Sequence, residues 1–331
     1  MRAIVVREFG PFDQARPGEL AEPVAGSGEV VVDIAASEVN FPDLLLVEGN
    51  YQKKPALPFA PGMGGAGVVS QVGAGVTEWQ PGQRVLVLPD SGTHAEKVAA
   101  PAGFCFPVPD DVPFDVAAVL GLAYQTAHFA LVEQGRFRAG ETVLVLGAKG
   151  GVGMAAVQLA KALGAGSVIA ATRGAEGAEA ARASGADHVV DAAAPDLRDS
   201  LRDAVMAVTG GRGADVVIDP VGGPIGEAAL RAMAWRGRLV VVGFASGRVP
   251  VFKGNYLLVK GLSVSGFQWT DYRARQPERV RQVQAELFRL WSEGRLRPEI
   301  SQRLPLDRFA EALADLRAGR VRGKIVLSVR D

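Results

Sequence analysis

The sequence predicts an α/β protein in two parts, an all-β unit and a doubly wound parallel sheet with crossover helices. Three observations predict it. Residues 1 to about 115 run as short β-branched segments cut by glycine and proline. From about 120, strands alternate with helices. One last strand, Lys324–Val329, stands alone at the end of the chain. At roughly one domain per ~150 residues, the 331 residues accommodate both parts.

In chain order, the β-rich part is clearest at Ala3–Val6, Glu29–Ala35, Gly67–Val72, Arg84–Leu88 and Glu96–Ala99, the texture of a small barrel or sandwich. The second part reads as strand Val143–Leu146, helix Met154–Leu163, strand Ser167–Ala171, helix 177–184, strand His188–Val190 and helix 197–208. It continues with strand Val216–Asp219, helix 225–234 and strand Leu239–Val242. Such alternation requires parallel strands joined by crossovers. Beyond it, Val280, Val283, Leu287 and Trp291 share one helical face, and Phe309, Leu313 and Leu316 another. The lone terminal strand needs a sheet to join, so it is expected to return to the first part. The expected division is 1–120 with 262–331 for the β-rich domain and 121–261 for the inserted one.

Composition narrows the function. Lys plus Arg and Asp plus Glu number 36 each, so no net field draws the chain to nucleic acid or an anionic membrane. A single cysteine, Cys105, excludes an internal disulfide and a cysteine-built zinc site. No stretch approaches the ~18 apolar residues of a spanning helix, and early charges at Arg2, Arg7 and Glu8 argue against a secretory leader. A soluble, cytoplasmic protein without membrane insertion is expected.

The strongest motif is Val143-Leu144-Val145-Leu146-Gly147-Ala148-Lys149-Gly150-Gly151-Val152-Gly153, an apolar strand that runs into a glycine cluster opening an Ala-rich helix. A dinucleotide pyrophosphate needs this arrangement. Residues without side chains let the backbone approach the phosphates, and the helix N-terminus points free N–H groups at them. Gly150, Gly151 and Val152 are the expected contacts. A strict G-x-G-x-x-G pattern places glycine where this chain has Ala148. About twenty residues on, where an acid would hold the ribose 2′-hydroxyl of NAD, the chain reads Ala171-Thr172-Arg173-Gly174. Without the acid a 2′-phosphate is not repelled, and the Arg173 fork can bond to it beside Thr172, so NADPH is the expected cofactor. The competing reading puts Arg173 on a solvated first turn. Asp219-Pro220-Val221-Gly222-Gly223, Gly243-Phe244-Ala245 and Gly266-Phe267 end further strands, where ligands bind in doubly wound sheets. Val221, Phe244, Ala245 and Phe267 are therefore candidates for the nicotinamide wall, with core packing the alternative for the two phenylalanines.

With this texture, the Gly147–Gly153 loop and the stretches Asn40-Phe41-Pro42-Asp43 and Pro61-Gly62-Met63-Gly64-Gly65-Ala66-Gly67-Val68-Val69, the sequence resembles the medium-chain dehydrogenase/reductase superfamily. Within it, the sequence is similar to the zinc-independent quinone oxidoreductase (zeta-crystallin-like) branch, down to Gly323-Lys324-Ile325-Val326-Leu327. The resemblance implies a GroES-like catalytic domain made from both chain ends, a Rossmann domain between, and a homodimer joined through the Rossmann domains. Where zinc-bearing relatives have Cys, His-Glu and Cys or Asp, this chain has Asn40, Met63-Gly64 and Leu122, which offer no zinc ligand set. His94, His128 and His188 are too scattered for a local ligand motif and read as structural or surface residues.

Loss of the metal constrains the chemistry, because an alkoxide needs a Lewis acid whereas a quinone or an α,β-unsaturated carbonyl spreads negative charge through its own conjugation. The resemblance implies that Asn40 and Tyr51 face the nicotinamide and substrate as hydrogen-bond donors, that Thr126 lies near the nicotinamide, and that Lys324 is a cofactor contact. Some relatives set a Lys and a Tyr against the 2′-phosphate; here those positions hold Gly177 and Ala192, leaving Arg173 to carry it largely alone. Two rival functions remain. One is an enoyl-CoA reductase, whose basic entrance would fall to the stretch Arg273, Arg275, Arg279 and Arg281, which otherwise reads as a solvated helix face. The other is a non-catalytic NADPH-binding protein.

Overall fold

The computed structural model describes residues 1–330. The chain divides into two compact units: one takes residues 1–122, 277–292 and 298–331, the other residues 123–276 and 293–297.

The first unit begins with an antiparallel pair, β1 (Arg2–Val5) and β2 (Arg16–Glu19). Its main sheet uses β3 (Glu29–Val39), β4 (Gly65–Val72), β5 (Arg84–Val87), β6 (Lys97–Pro101) and β7 (Cys105–Pro107). Helix α1 (Phe41–Val47) lies between β3 and β4, and α2 (Phe114–Val119) follows β7. The long strand β3 organises the sheet, pairing antiparallel with both β4 and β6. Its residues Val30, Val32 and Ile34 are buried against Val69, Trp79, Val85 and Val98, as alternation along a strand with one face on a core requires.

The second unit follows α3 (Leu122–His128) with β8 (Thr142–Leu146), α4 (Gly151–Ala162), β9 (Ser167–Thr172), α5 (Gly174–Ala183), β10 (His188–Asp191) and α6 (Leu197–Val208). It continues with β11 (Ala214–Asp219), α7 (Gly223–Ala232), β12 (Met233–Val241), α8 (Gly254–Lys260), β13 (Ser263–Gly266) and α9 (Trp269–Arg275). All six strands are parallel, in the order β10-β9-β8-β11-β12-β13. This is the doubly wound Rossmann order, whose direction reverses between β8 and β11.

Helix α10 (Pro277–Ser292) returns the chain to the first unit, followed by β14 (Ile300–Pro305), α11 (Phe309–Arg317) and β15 (Lys324–Ser328). Val280, Val283 and Leu287 are buried on α10, and Phe309 and Leu313 on α11. The terminal strand β15 does join the first unit's sheet, antiparallel to β3 with Ile325 opposite Val39, and parallel to β14.

Two expectations are corrected. The return to the first unit comes at Pro277, not at 262, because Ser263–Gly266 pairs with Arg238–Val241 as the sixth parallel strand. The helix expected to reach residue 234 ends at Ala232, and Met233 already begins β12. Among the described residues, no helix is long and apolar enough to cross a membrane.

Candidate functional site

The sequence-selected residues of the second unit fall along one edge of its sheet. Gly147, Thr172, Val221, Phe244 and Phe267 follow the carboxyl ends of β8, β9, β11, β12 and β13, which are contiguous in the sheet. Gly147 turns the chain out of β8 with φ of +64°, a conformation only glycine adopts without cost. Gly153 lets α4 sit down on that turn, since a Cβ there would lie 2.3 Å from the Gly147 carbonyl oxygen. Gly150 caps α4, so the first-turn N–H groups of Gly151, Val152 and Gly153 lack intrahelical partners. Ala148 replaces the motif's second glycine and is fully buried, with its N–H bonded to Ala171 O at 3.2 Å. The cradle fits a pyrophosphate.

At the end of β9, Thr172 is buried and Arg173 is the exposed N-cap of α5. Among the described residues Arg173 makes no ion pair or hydrogen bond, so its fork is available to an anion. Gly177 is buried under Thr172, where a Cβ would come within 2.4 Å of Thr172 Oγ1, so a lysine could not be accommodated there without rearrangement. Sequence reasoning missed Arg182, which lines a surface groove beside edge strand β10 with Thr172, Gly174, Ala178 and Asp191. No spacing pointed to it, since nine residues from Arg173 is about two and a half helical turns, which sets the two on opposite sides of α5.

Asp219, fully buried at the end of β11, organises the next turn. Its Oδ1 accepts the N–H groups of Val221 (2.9 Å) and Gly222 (2.8 Å), which holds Val221 in place. Burial pushes the Asp219 carboxyl above its usual range, and the two amides oppose that shift. The ends of β11 and β12 are tied together, because Ala245 N–H reaches Pro220 O and Ser246 N–H reaches Val221 O. Phe244 is 43 % exposed and therefore not core; Phe267 is half-buried and meets Tyr272 edge-on at 5.9 Å. Thr126 lies half-buried on α3, beside Gln125, whose Oε1 accepts the Trp269 indole N–H at 3.0 Å. Arg273, expected on a solvated basic face, is buried instead, with its guanidinium 5.4 Å from the Trp269 ring.

In the first unit, Asn40 caps α1 where β3 ends. Its N–H donates to Asp43 Oδ2 (2.7 Å), and Asp43 Oδ1 accepts the Gly62 N–H (3.1 Å), which fixes the start of α1 to the loop before β4. Asp43 also faces His94, with Oδ2 3.4 Å from Nε2, and His94 Nδ1 lies 2.9 Å from Ser37 Oγ. His94 is fully buried against the Phe309 ring. The Asn40 side chain is buried. Its Oδ1 accepts from Lys324 Nζ, while its Nδ2 makes no well-formed hydrogen bond among the described residues and lies beside the Glu38 carboxylate, whose charged form it favours. Tyr51 is half-buried in the turn after α1.

Lys324, expected at the cofactor, is buried with its ammonium enclosed by protein oxygens: Asn40 Oδ1, Val39 O and Glu38 Oε2. Glu38 is fully buried; burial raises its carboxyl above the usual range, against the pull of the Lys324 charge. Sequence reasoning missed Glu38. Its signal was a charged residue inside the apolar end of a strand, Ala35-Ala36-Ser37-Glu38-Val39. Asn40, Met63, Gly64 and Leu122 carry no thiol, imidazole or carboxyl group. Among the described residues no three His, Cys, Asp or Glu side chains gather as metal ligands could.

A Rossmann sheet with a pyrophosphate cradle, joined to a β-rich unit made from both chain ends, defines a dinucleotide-dependent oxidoreductase. Residues 26–110 match the alcohol dehydrogenase GroES-like domain, and residues 151–288 match the zinc-binding dehydrogenase family. Quinone oxidoreductase-like protein 2 of Mus musculus is 34% identical over 312 residues, covering 94% of this chain and 88% of that protein. A mycobacterial protein solved in complex with NADPH is 34% identical with a TM-score of 0.92, covering 99% of this chain and 100% of its own. Escherichia coli quinone oxidoreductase, also solved with NADPH, is 28% identical with a TM-score of 0.91 over 99% of this chain and 100% of its own. The chain belongs to the medium-chain dehydrogenase/reductase superfamily, among its quinone oxidoreductase-like members.

Proposed function

We propose that the protein is a zinc-independent, NADPH-dependent reductase of quinones and α,β-unsaturated carbonyls. The observation that carries this reading is the buried Asn40 amide, whose Nδ2 makes no well-formed protein hydrogen bond, at a position where the resemblance sets a metal ligand in zinc-bearing relatives. A neutral N–H donor is a weak substitute for a Lewis acid toward an alkoxide. It suffices for an oxyanion whose charge is delocalised by conjugation.

When bound, NADPH supplies the hydride that passes to the β-carbon of an enone or to a quinone. Gly150, Gly151 and Val152 bind its pyrophosphate through backbone N–H groups, and Arg173 bonds to the 2′-phosphate. Thr126, Val221, Phe244, Ala245 and Phe267 orient the nicotinamide, the apolar members excluding water. Asn40 donates to the acceptor oxygen as negative charge develops there, and Tyr51 supplies or relays the proton. The burial of Arg273 weighs against an enoyl-CoA reductase that would need all four arginines for the CoA phosphates. A second copy of this chain is the proposed cover for the exposed Trp235, Leu258 and Val259 of the Rossmann unit.

NADPH oxidation should be followed with purified protein against 1,4-benzoquinone, a 2-alkenal, an enoyl-CoA and a simple ketone, with and without chelator. Turnover of the first two, unchanged by chelator, is expected. Turnover confined to the ketone, or lost with metal, would overturn the reading; NADPH binding without any turnover would favour a non-catalytic role.

A further inference from the structure

We propose that Lys324 is a positioning residue for Asn40: its buried ammonium group, held beside Glu38, fixes the Asn40 amide with its oxygen toward the lysine and its NH2 left as the donor. The proposal rests on the reading of Asn40 as the substrate's hydrogen-bond donor.

The topology brings the two residues together across 284 positions of sequence. Strand β15 pairs antiparallel with β3, Ile325 opposite Val39, so Lys324 falls beside the point where β3 ends and α1 begins. Three oxygens surround its Nζ: Asn40 Oδ1 at 2.5 Å, Glu38 Oε2 at 2.8 Å and Val39 O at 3.0 Å. An ammonium offers three N–H donors and no acceptor. It therefore selects which end of the amide it meets. The Asn40 oxygen must face Lys324, and the nitrogen must occupy the other branch, near the Glu38 carboxylate but without a well-formed protein hydrogen bond. Without the cation the amide could turn over and present an oxygen to a developing oxyanion, which would repel it.

Glu38 completes the device. A cation this deeply buried would be costly alone, and the Glu38 carboxylate offsets it. Glu38 is itself anchored by the Leu122 N–H at 3.3 Å, so the ion pair cannot drift from the end of β3. Because Lys324 has its three oxygens inside the protein, its expected influence is on the acceptor step rather than on cofactor affinity.

The test measures kcat and the Kd for NADPH in Lys324→Met, Asn40→Ala and the double variant. Lys324→Met should lower kcat at least tenfold with an enone while the NADPH Kd changes less than twofold. Added to Asn40→Ala it should cause no further loss. The pair Lys324→Met with Glu38→Gln removes both buried charges, and should show the same kcat loss with the thermal midpoint of the native protein largely restored. In Lys324→Ala, added ethylammonium should recover part of kcat. If Asn40→Ala is impaired but Lys324→Met keeps its kcat, or loses only NADPH affinity, the positioning role is wrong and the reading of Asn40 stands. If Asn40→Ala is fully active, that reading itself fails, and with it this inference.

Discussion

Gly64 leaves the space that the Glu38 carboxylate fills: a Cβ on Gly64 would lie 2.6 Å from Glu38 Oε1. The carboxylate cannot swing aside cheaply, since it is fully buried and bound to Lys324 and the Leu122 N–H. Gly64→Ala should therefore destabilise the protein by ~1–3 kcal/mol, the usual cost of overpacking. Thermal or urea unfolding measures it. An unchanged midpoint would show that the Lys324–Glu38 pair is looser than these contacts indicate.

Arg173 governs cofactor choice in the proposed function. A charge-assisted contact to the 2′-phosphate is worth ~1.5–3 kcal/mol, which corresponds to roughly ten- to hundredfold in affinity. NADPH should bind more tightly than NADH, and Arg173→Ala should narrow the gap by that factor. Arg182→Ala should act in the same direction if the groove beside β10 receives the phosphate. Calorimetric titration with both cofactors decides this; equal affinities in the unaltered protein would contradict it.

Much of the Rossmann unit was legible in the sequence because glycines punctuate it. Helix 197–208 and the Gly147–Gly153 turn stand where the pattern placed them. The sixth strand was legible only at its Gly266-Phe267 end, and its span fell beyond the expected domain boundary, because Ser263-Val264-Ser265-Gly266 is short, half polar and only partly buried, so its partner β12 defines it rather than its own composition. Glu38, Lys324 and Asn40 were separately visible as residues. Their association was not, since it depends on a strand register set by residues almost a whole chain apart.

Asp219 should make stability fall with rising pH. Its native carboxyl binds a proton more tightly than in the unfolded chain, because burial raises it from the usual 3.8. The native state then holds the extra proton between that value and the raised one, so this group's contribution is greatest below the ordinary carboxylate range and declines as pH climbs through the raised value. Asp219→Asn keeps an oxygen for the Val221 and Gly222 N–H groups but cannot titrate. Urea unfolding from pH 4 upward should show the variant gaining on the native protein as pH rises. A constant difference would mean that Asp219 does not titrate there.

Trp235, Leu258 and Val259 are 73 %, 84 % and 79 % exposed on the Rossmann unit, a costly arrangement for large apolar side chains in water. If a second copy of this chain covers them, the native protein sediments as a dimer and Leu258→Glu, which would bury a charge in that contact, sediments as a monomer with its fold intact. A monomeric native protein at micromolar concentration would rule this out.

Tyr51 separates the two acceptor classes. Losing a donor aimed at a developing oxyanion typically costs 10²–10³ in rate, about 2.7–4 kcal/mol. Tyr51 should be worth less, because it lies in a bend two residues after Gly49 and solvent can replace its proton. A loss of roughly tenfold, about 1.4 kcal/mol, is expected for Tyr51→Phe with an enone. Quinone reduction restores aromaticity and needs less help with the oxygen, so the same change should cost it less. The informative quantity is the ratio of the two losses in kcat/KM. If Tyr51→Phe leaves enone reduction untouched, or harms quinone reduction more, the phenol packs at the rim and the proton arrives by another route.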